Sequence, residues 1–139
     1  MPLPRYFRNT DRFVTWLRIS LGLIFFWFGA LKFLGYNPVA DIVAGVSPPL
    51  AYGAGNTLLG AFEAVIGLLL LLNVYPVVVH VALLLHLAGT FLTFFTAPHL
   101  MFEPYFPVLT LAGEFVFKNV TLAAAGLVVL AYEQRKRSK

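Results

Sequence analysis

The chain contains no cysteine. Disulfides, thiolate nucleophiles and thiolate metal ligands are therefore excluded within it, and any redox electrons must pass through another group. Charge is scarce as well: Asp, Glu, Lys and Arg make up 12% of the residues, against about 25% in soluble domains. With 60% hydrophobic residues, the balance excludes a soluble fold and places the chain in a bilayer. From Val65 to Phe95 there is no Asp, Glu, Lys or Arg at all. One helix over that run would be about 46 Å long, well beyond a hydrocarbon core of ~30 Å, so the run must fold back. Asn73-Val74-Tyr75-Pro76 supplies the turn, because Asn tolerates turn conformations and Pro cannot donate a backbone hydrogen bond.

The loops at 35–55 and 97–107 lack Lys and Arg. The basic residues gather instead before the first apolar stretch, as Arg5, Arg8 and Arg12, and after the last, as Arg135, Lys136, Arg137 and Lys139. This bias predicts that both termini are cytoplasmic, as an even number of spans requires. The net charge of +4 is thus topological, and no nucleic-acid partner is indicated. The basic start followed by an apolar run suggests a signal peptide, but the run is too long and has no small-residue cleavage pattern before Lys32. It is expected to be retained.

Four apolar stretches are present, Phe13–Leu34, Asn56–Leu72, Tyr75–Thr96 and Val108–Tyr132, each near the ~20 residues needed to span. The expected fold is all-α: an integral membrane four-helix bundle forming a single transmembrane domain over residues 1–139, with its second and third helices in a tight hairpin. Asn37-Pro38 reads as a cap plus first helical residue and Ser47-Pro48-Pro49 as a stop, predicting a short outer interfacial helix after the first span. The aromatic, Pro-rich segment 97–107 reads as an ordered interfacial loop that does not span.

Inside these stretches stand Arg18, Lys32, Glu63, His86, Glu114 and Lys118. A charge at mid-membrane costs about 2.5–3.5 kcal/mol on insertion scales, so each should face the bundle interior and have a partner. Projected at about 100° per residue, Arg18, Gly22, Phe25, Gly29 and Lys32 share one face of the first helix. Asn56, Gly60, Glu63 and Gly67 form a polar, small-residue stripe on the second. On the third, His86 shares a face with Gly89, Thr90 and Thr93, while His80 lies about 120° away and is expected at an interface or in packing. The two histidines therefore cannot make a two-ligand metal face, and neither a metal site nor a haem between two helices is expected. On the fourth, Thr110, Glu114, Lys118, Thr121 and Ala125 fall together, with the acid preceding the base in the favourable order for an ion pair. Asn119 lies off that face and is expected to bond a neighbouring helix.

Depth then predicts that Lys32, Glu63, Glu114, Lys118 and His86 converge on one polar pocket in the outer half of the bundle. Other roles stand beside that one. Arg18 and Lys32 can snorkel to water, Glu63 can serve as a structural carboxylate, and Glu114 with Lys118 can simply neutralise each other for insertion.

The stretch Arg18-Ile-Ser-Leu-Gly-Leu-Ile-Phe-Phe-Trp-Phe-Gly-Ala-Leu-Lys32-Phe, with Tyr36 and Ser47-Pro48 after it, resembles the opening of the DoxX-like membrane proteins, especially the branch that includes the reactive-chlorine-resistance membrane protein. Glu63-Ala-Val-Ile-Gly67-Leu-Leu-Leu-Leu-Leu-Asn73 and Phe115-Val-Phe-Lys118-Asn119, running to Gly126, continue the resemblance over almost the whole chain. A loop insertion between Pro49 and the second helix, found in part of that branch, is short here. The resemblance implies a four-helix bundle in the prokaryotic cytoplasmic (inner) membrane, with relatives linked to thiosulfate:quinone oxidoreduction, membrane redox complexes and oxidative-stress resistance.

Taken together, the expected function is a membrane subunit of a redox system that binds a quinone or similar small molecule, with no covalent cofactor. Lys32 and Lys118 would hydrogen-bond its oxygen, and Glu63, Glu114 or His86 would carry the accompanying proton. Two alternatives remain open: a small transporter or channel for protons or a small solute, and an anchor or assembly factor for a soluble redox partner docked on the basic tail. Small-residue seams such as Gly60 to Ala64 also permit a homo-oligomer.

Overall fold

The computed structural model describes residues 9–138. Arg5, Arg8 and Lys139, which enter the topological argument, lie outside the described residues. The elements in chain order are α1 (Thr10–Phe33), α2 (Ala40–Val46), α3 (Pro48–Ala51), α4 (Gly53–Leu72), α5 (Pro76–Phe91), α6 (Thr93–Thr96), α7 (Pro98–Met101) and α8 (Leu111–Arg137). Four helical segments are long and apolar enough to cross a membrane: α1, α4, the α5–α6 run over Pro76–Thr96, and α8. Two ends can be distinguished, one holding the start of α1, the end of α8 and the α4–α5 turn, the other holding α2, α3 and α7.

The expected hairpin is present. Asn73 closes α4 in the left-handed region (φ 56°), Tyr75 follows at φ 49°, and Pro76 opens α5 at a position that needs no donor. The fourth span departs from expectation at both ends. Val108 is not helical, because Leu109 pairs with Phe102 in an antiparallel bridge, and the helix begins only after Thr110, whose hydroxyl accepts from the Gly113 amide at 2.9 Å. At its other end α8 continues past Tyr132 to Arg137, where three cationic side chains complement the carbonyl end of the helix. Asn37 does not cap a helix at Pro38. Its side chain accepts from the Val39 amide and donates to Asn56 at 2.7 Å, and α2 starts at Ala40. Pro48, expected as a stop, instead opens α3.

The tightest contact in the bundle is that of α1 with α4, and glycine makes it. A Cβ on Gly29 would sit 2.6 Å from the Gly60 carbonyl oxygen, and one on Gly60 would sit 2.7 Å from the Gly29 oxygen. Two turns along, Gly22 and Gly67 repeat the arrangement at 3.0 and 2.7 Å. These antiparallel helices therefore touch backbone to backbone, the geometry small-residue seams allow in lipid, where apolar burial between helices drives little. Arg18 extends this seam toward the termini, donating to the Leu70 carbonyl and, at 2.9 Å, to that of Leu71. It caps the exposed carbonyls of α4 rather than reaching out to water. A core of Val14, Leu21, Phe25, Ile66, Leu70, Val79, Leu83, Leu87 and Val129 fills the space between α1, α4, α5 and α8.

Candidate functional site

Because α1 and α4 touch at Gly29 and Gly60, the next turn of each brings Lys32 and Glu63 together. The Lys32 Nζ lies 2.8 Å from Glu63 Oε1 and 2.6 Å from Oε2, and both residues are buried (6% and 3% exposed). His86 of α5 completes the cluster, with Nε2 at 3.0 Å from Glu63 Oε1. Lys32 thus pairs with a carboxylate and does not snorkel, as expected for a charge with a partner in low dielectric. The ammonium and carboxylate cancel, so with a neutral imidazole the triad carries no net charge. Phe25 and Phe62 flank the imidazole, with centroids 5.8 and 6.0 Å away.

This geometry fixes the chemistry His86 can offer. Its Nε2 donates to the carboxylate, and in neutral imidazole the other nitrogen, Nδ1, is then a bare acceptor that becomes a donor on protonation. His86 makes no second hydrogen bond among the described residues. It lines two adjoining cavities. The first, of about 80 Å³, also holds Lys32, Glu63, Phe28, Thr90, Phe115 and Asn119 at its walls, with Ile42 and Val43 of α2 closing it. The second, of about 170 Å³, lies between α2, α3 and Leu59 of α4 on one side and α5 with Thr93 of α6 on the other, and shares Ile42, Val43, Leu59, His86 and Thr90 with the first. An apolar cavity of about 150 Å³ is enough to hold a benzene ring, so the first cavity alone is too small for one and a ring beside His86 needs the joined space of both. The site is thus an apolar chamber with one ionised, internally satisfied wall.

Asn119 and Thr90 supply the remaining polarity. Asn119 Nδ2 donates to Thr90 Oγ1 at 3.0 Å, tying α8 to α5 as expected from its position off the Glu114 face. Above the triad, Asn56 Nδ2 donates to the Lys32 carbonyl at 2.9 Å and Asn56 Oδ1 accepts from Asn37, joining the end of α1 to α4 and to the segment leading into α2.

The expected convergence of five ionisable groups needs correction. Lys32, Glu63 and His86 come together, but Glu114 and Lys118 do not join them. Those two pair with each other at 3.3 Å on the outside of α8, with side chains 54% and 73% exposed. The face that α8 buries is Gly113, Val116, Asn119, Gly126 and Val129, because glycine permits close approach and Asn119 has a partner in Thr90. Glu114 and Lys118 lie in the first two turns of α8, near enough to its end for their side chains to extend out of the hydrocarbon. His80 takes the packing role expected of it, but it too points inward. It is 1% exposed, so His86 is not the sole inward histidine. The α5 helix touches α4 and α8 across a wide arc, and positions about 120° apart are both covered. His80 Nδ1 lies 2.6 Å from the Pro76 carbonyl oxygen and its ring packs near Gly126, outside both cavities. Among the described residues, no group of three His, Asp or Glu side chains is placed to hold a metal.

Some walls of the chamber carried no sequence signal. Ile42 and Val43 look like any apolar residues of a short helix, and Phe28 and Phe115 like lipid-facing aromatics. Of the chamber's aromatic walls, only Phe25 stood on a face already selected.

Fold and site together describe a multi-pass helical membrane protein with a buried Lys–Glu–His triad beside an apolar chamber. No protein-family model, no curated protein and no solved structure matches the chain.

Proposed function

We propose that the chain is a DoxX-like membrane subunit of a redox system that binds a quinone or quinol in the chamber beside His86. The observation that supports this reading is the triad itself. Lys32 and Glu63 are used up on each other, whereas the imidazole keeps one nitrogen with no protein partner and borders both cavities. A neutral His86 would accept a hydrogen bond from a quinol hydroxyl, and a protonated one would donate to a quinone carbonyl. Glu63 would hold the imidazolium in place as the proton moves. The electrons would come from a partner protein, which the basic end of α8 suits as a docking site. Lys118 and Glu114, expected as part of the site, have no part in this reading.

The orientation belongs to the same proposal. Arg12, Arg135, Lys136 and Arg137 sit at the termini end, and the loops of the other end carry Asp41 and Glu103 but no Lys or Arg. The chamber would then lie in the outer half of a prokaryotic inner membrane, with α2 along the outer interface.

Purification without added quinone, followed by lipid extraction, tests the reading. A quinone should co-purify with the wild type and be lost with His86→Leu, and added decylubiquinone should raise the melting temperature of the wild type alone. Absence of both effects in the wild type would refute the proposal.

A further inference from the structure

We infer that the bound molecule carries a hydrocarbon tail and that the tail leaves the chamber sideways into the bilayer, through a slot between α4 and α5 in which Gly89 is the notch. This inference rests on the quinone-site reading and adds the substrate class and its route.

The slot is the second cavity. Its floor is His86 and Thr90, its α4 side is Leu59, its opposite side is Gly89 of α5 and Thr93 of α6, and Val46, Ser47 and Leu50 border it from α2 and α3. The covering segment is pinned on both flanks. Asn37 bonds Asn56 of α4 on one. On the other, Thr93 Oγ1 donates to the Ile42 carbonyl at 3.5 Å, and Gly45 packs so closely that a Cβ would lie 2.8 Å from the Ala97 Cβ. The end of the chamber is therefore covered, whereas at its side a Cβ on Gly89 would meet nothing within 4 Å. Apolar side chains are exposed on the neighbouring turns: Leu58 and Phe62 on α4, Leu85 on α5 and Leu92 just past the end of α5.

Gly89 is decisive here. On a helix, Leu85 and Leu92 are its neighbours at i−4 and i+3, so all three lie along one ridge. A Cβ at Gly29, Gly60 or Gly67 would strike a neighbouring helix, whereas one at Gly89 would meet nothing within 4 Å. This glycine is thus not there for helix packing. It interrupts an exposed apolar ridge directly beside the chamber, where an alkyl chain attached to a ring at His86 can pass between α4 and α5. A polar solute would gain nothing from such a route, and a lipid-soluble ring with an alkyl or isoprenoid tail fits both the chamber and the slot.

Affinities of decylubiquinone and of its tail-free analogue 2,3-dimethoxy-5-methyl-1,4-benzoquinone, measured on nanodisc-reconstituted protein with empty discs subtracted, test the inference. Gly89→Leu should keep the wild-type melting temperature, weaken decylubiquinone at least tenfold, and leave the tail-free analogue within threefold. Gly89→Ala should lie between the wild type and Gly89→Leu. Equal decylubiquinone affinity in the wild type and Gly89→Leu would overturn the slot while leaving the site intact. Failure of the wild type to bind either quinone would overturn the site reading and the slot with it. Loss of both ligands in a folded Gly89→Leu protein would place the head, rather than the tail, at Gly89 and would also overturn the route.

Discussion

At the scale of single residues, the decisive contrast is between two ion pairs of similar chemistry. Lys32 with Glu63 is buried and further tied to His86, while Lys118 with Glu114 is exposed. Removing one partner of a buried pair strands the other and costs about 3–5 kcal/mol, whereas exposed pairs are worth about 0–1 kcal/mol. Lys32→Met and Glu63→Gln should therefore each sharply lower the yield of folded protein in thermal unfolding assays, and Lys32→Met combined with Glu63→Leu should recover part of the loss. Lys118→Met, alone or with Glu114→Gln, should change little. A large loss from Lys118→Met that Glu114→Gln repairs would show that the α8 pair is buried in the membrane after all. The sequence announced Lys32 and Glu63 because their faces also carried the glycines that must point inward, and His86 because its face also carried Thr90 and Thr93. It misled for Glu114 and Lys118, since the rule that intramembrane charge faces inward weakens within a turn or two of a helix end. Nothing in α8 by itself said which of its two mixed faces would meet Thr90.

At the scale of elements, the site exists because α1 and α4 make backbone contact. The register Gly22 with Gly67 and Gly29 with Gly60 places Lys32 opposite Glu63, and a wider spacing would pull that pair apart. Gly29→Val and Gly67→Val should each destabilise the protein by about 1–3 kcal/mol or more through overpacking, seen as a lowered midpoint of unfolding. Gly89→Val, with open space around it, should not. Equal effects at all three positions would mean that the seam does not set the helix separation. The seam was legible in sequence from the glycine spacings, as was the α4–α5 hairpin from Asn73 to Pro76. The later start of α8 was not, because the Phe102 to Leu109 bridge and the Thr110 cap arise from long-range pairing that an apolar window cannot register.

At the scale of the whole molecule, four crossing segments put both described ends of the chain on one side and α2, α3 and α7 on the other. The absence of native cysteine makes this testable by single introduced thiols. A membrane-impermeant maleimide applied to intact cells should label Tyr52→Cys and spare Ser138→Cys, with both labelled after lysis. The opposite pattern would invert the orientation and place the chamber toward the cytoplasm. Composition and periodicity were enough to foresee the helical class and the four spans. The chamber was beyond their reach, because it depends on where α2 comes to rest against α5 and α8, and its apolar residues carry no signature of their own.

The location of a bound ring tests the central claim most directly. Crystals of the protein grown in a lipidic phase with a brominated 1,4-benzoquinone would report that location through the anomalous signal of bromine. The account predicts one bromine peak within the chamber bounded by His86, Thr90, Phe115 and Val43, with a ring oxygen at hydrogen-bonding distance from His86 Nδ1. Bromine found only on the lipid-facing surface, with the Lys32–Glu63–His86 triad unchanged and the chamber empty, would show that the triad is a self-contained structural network and would contradict the account.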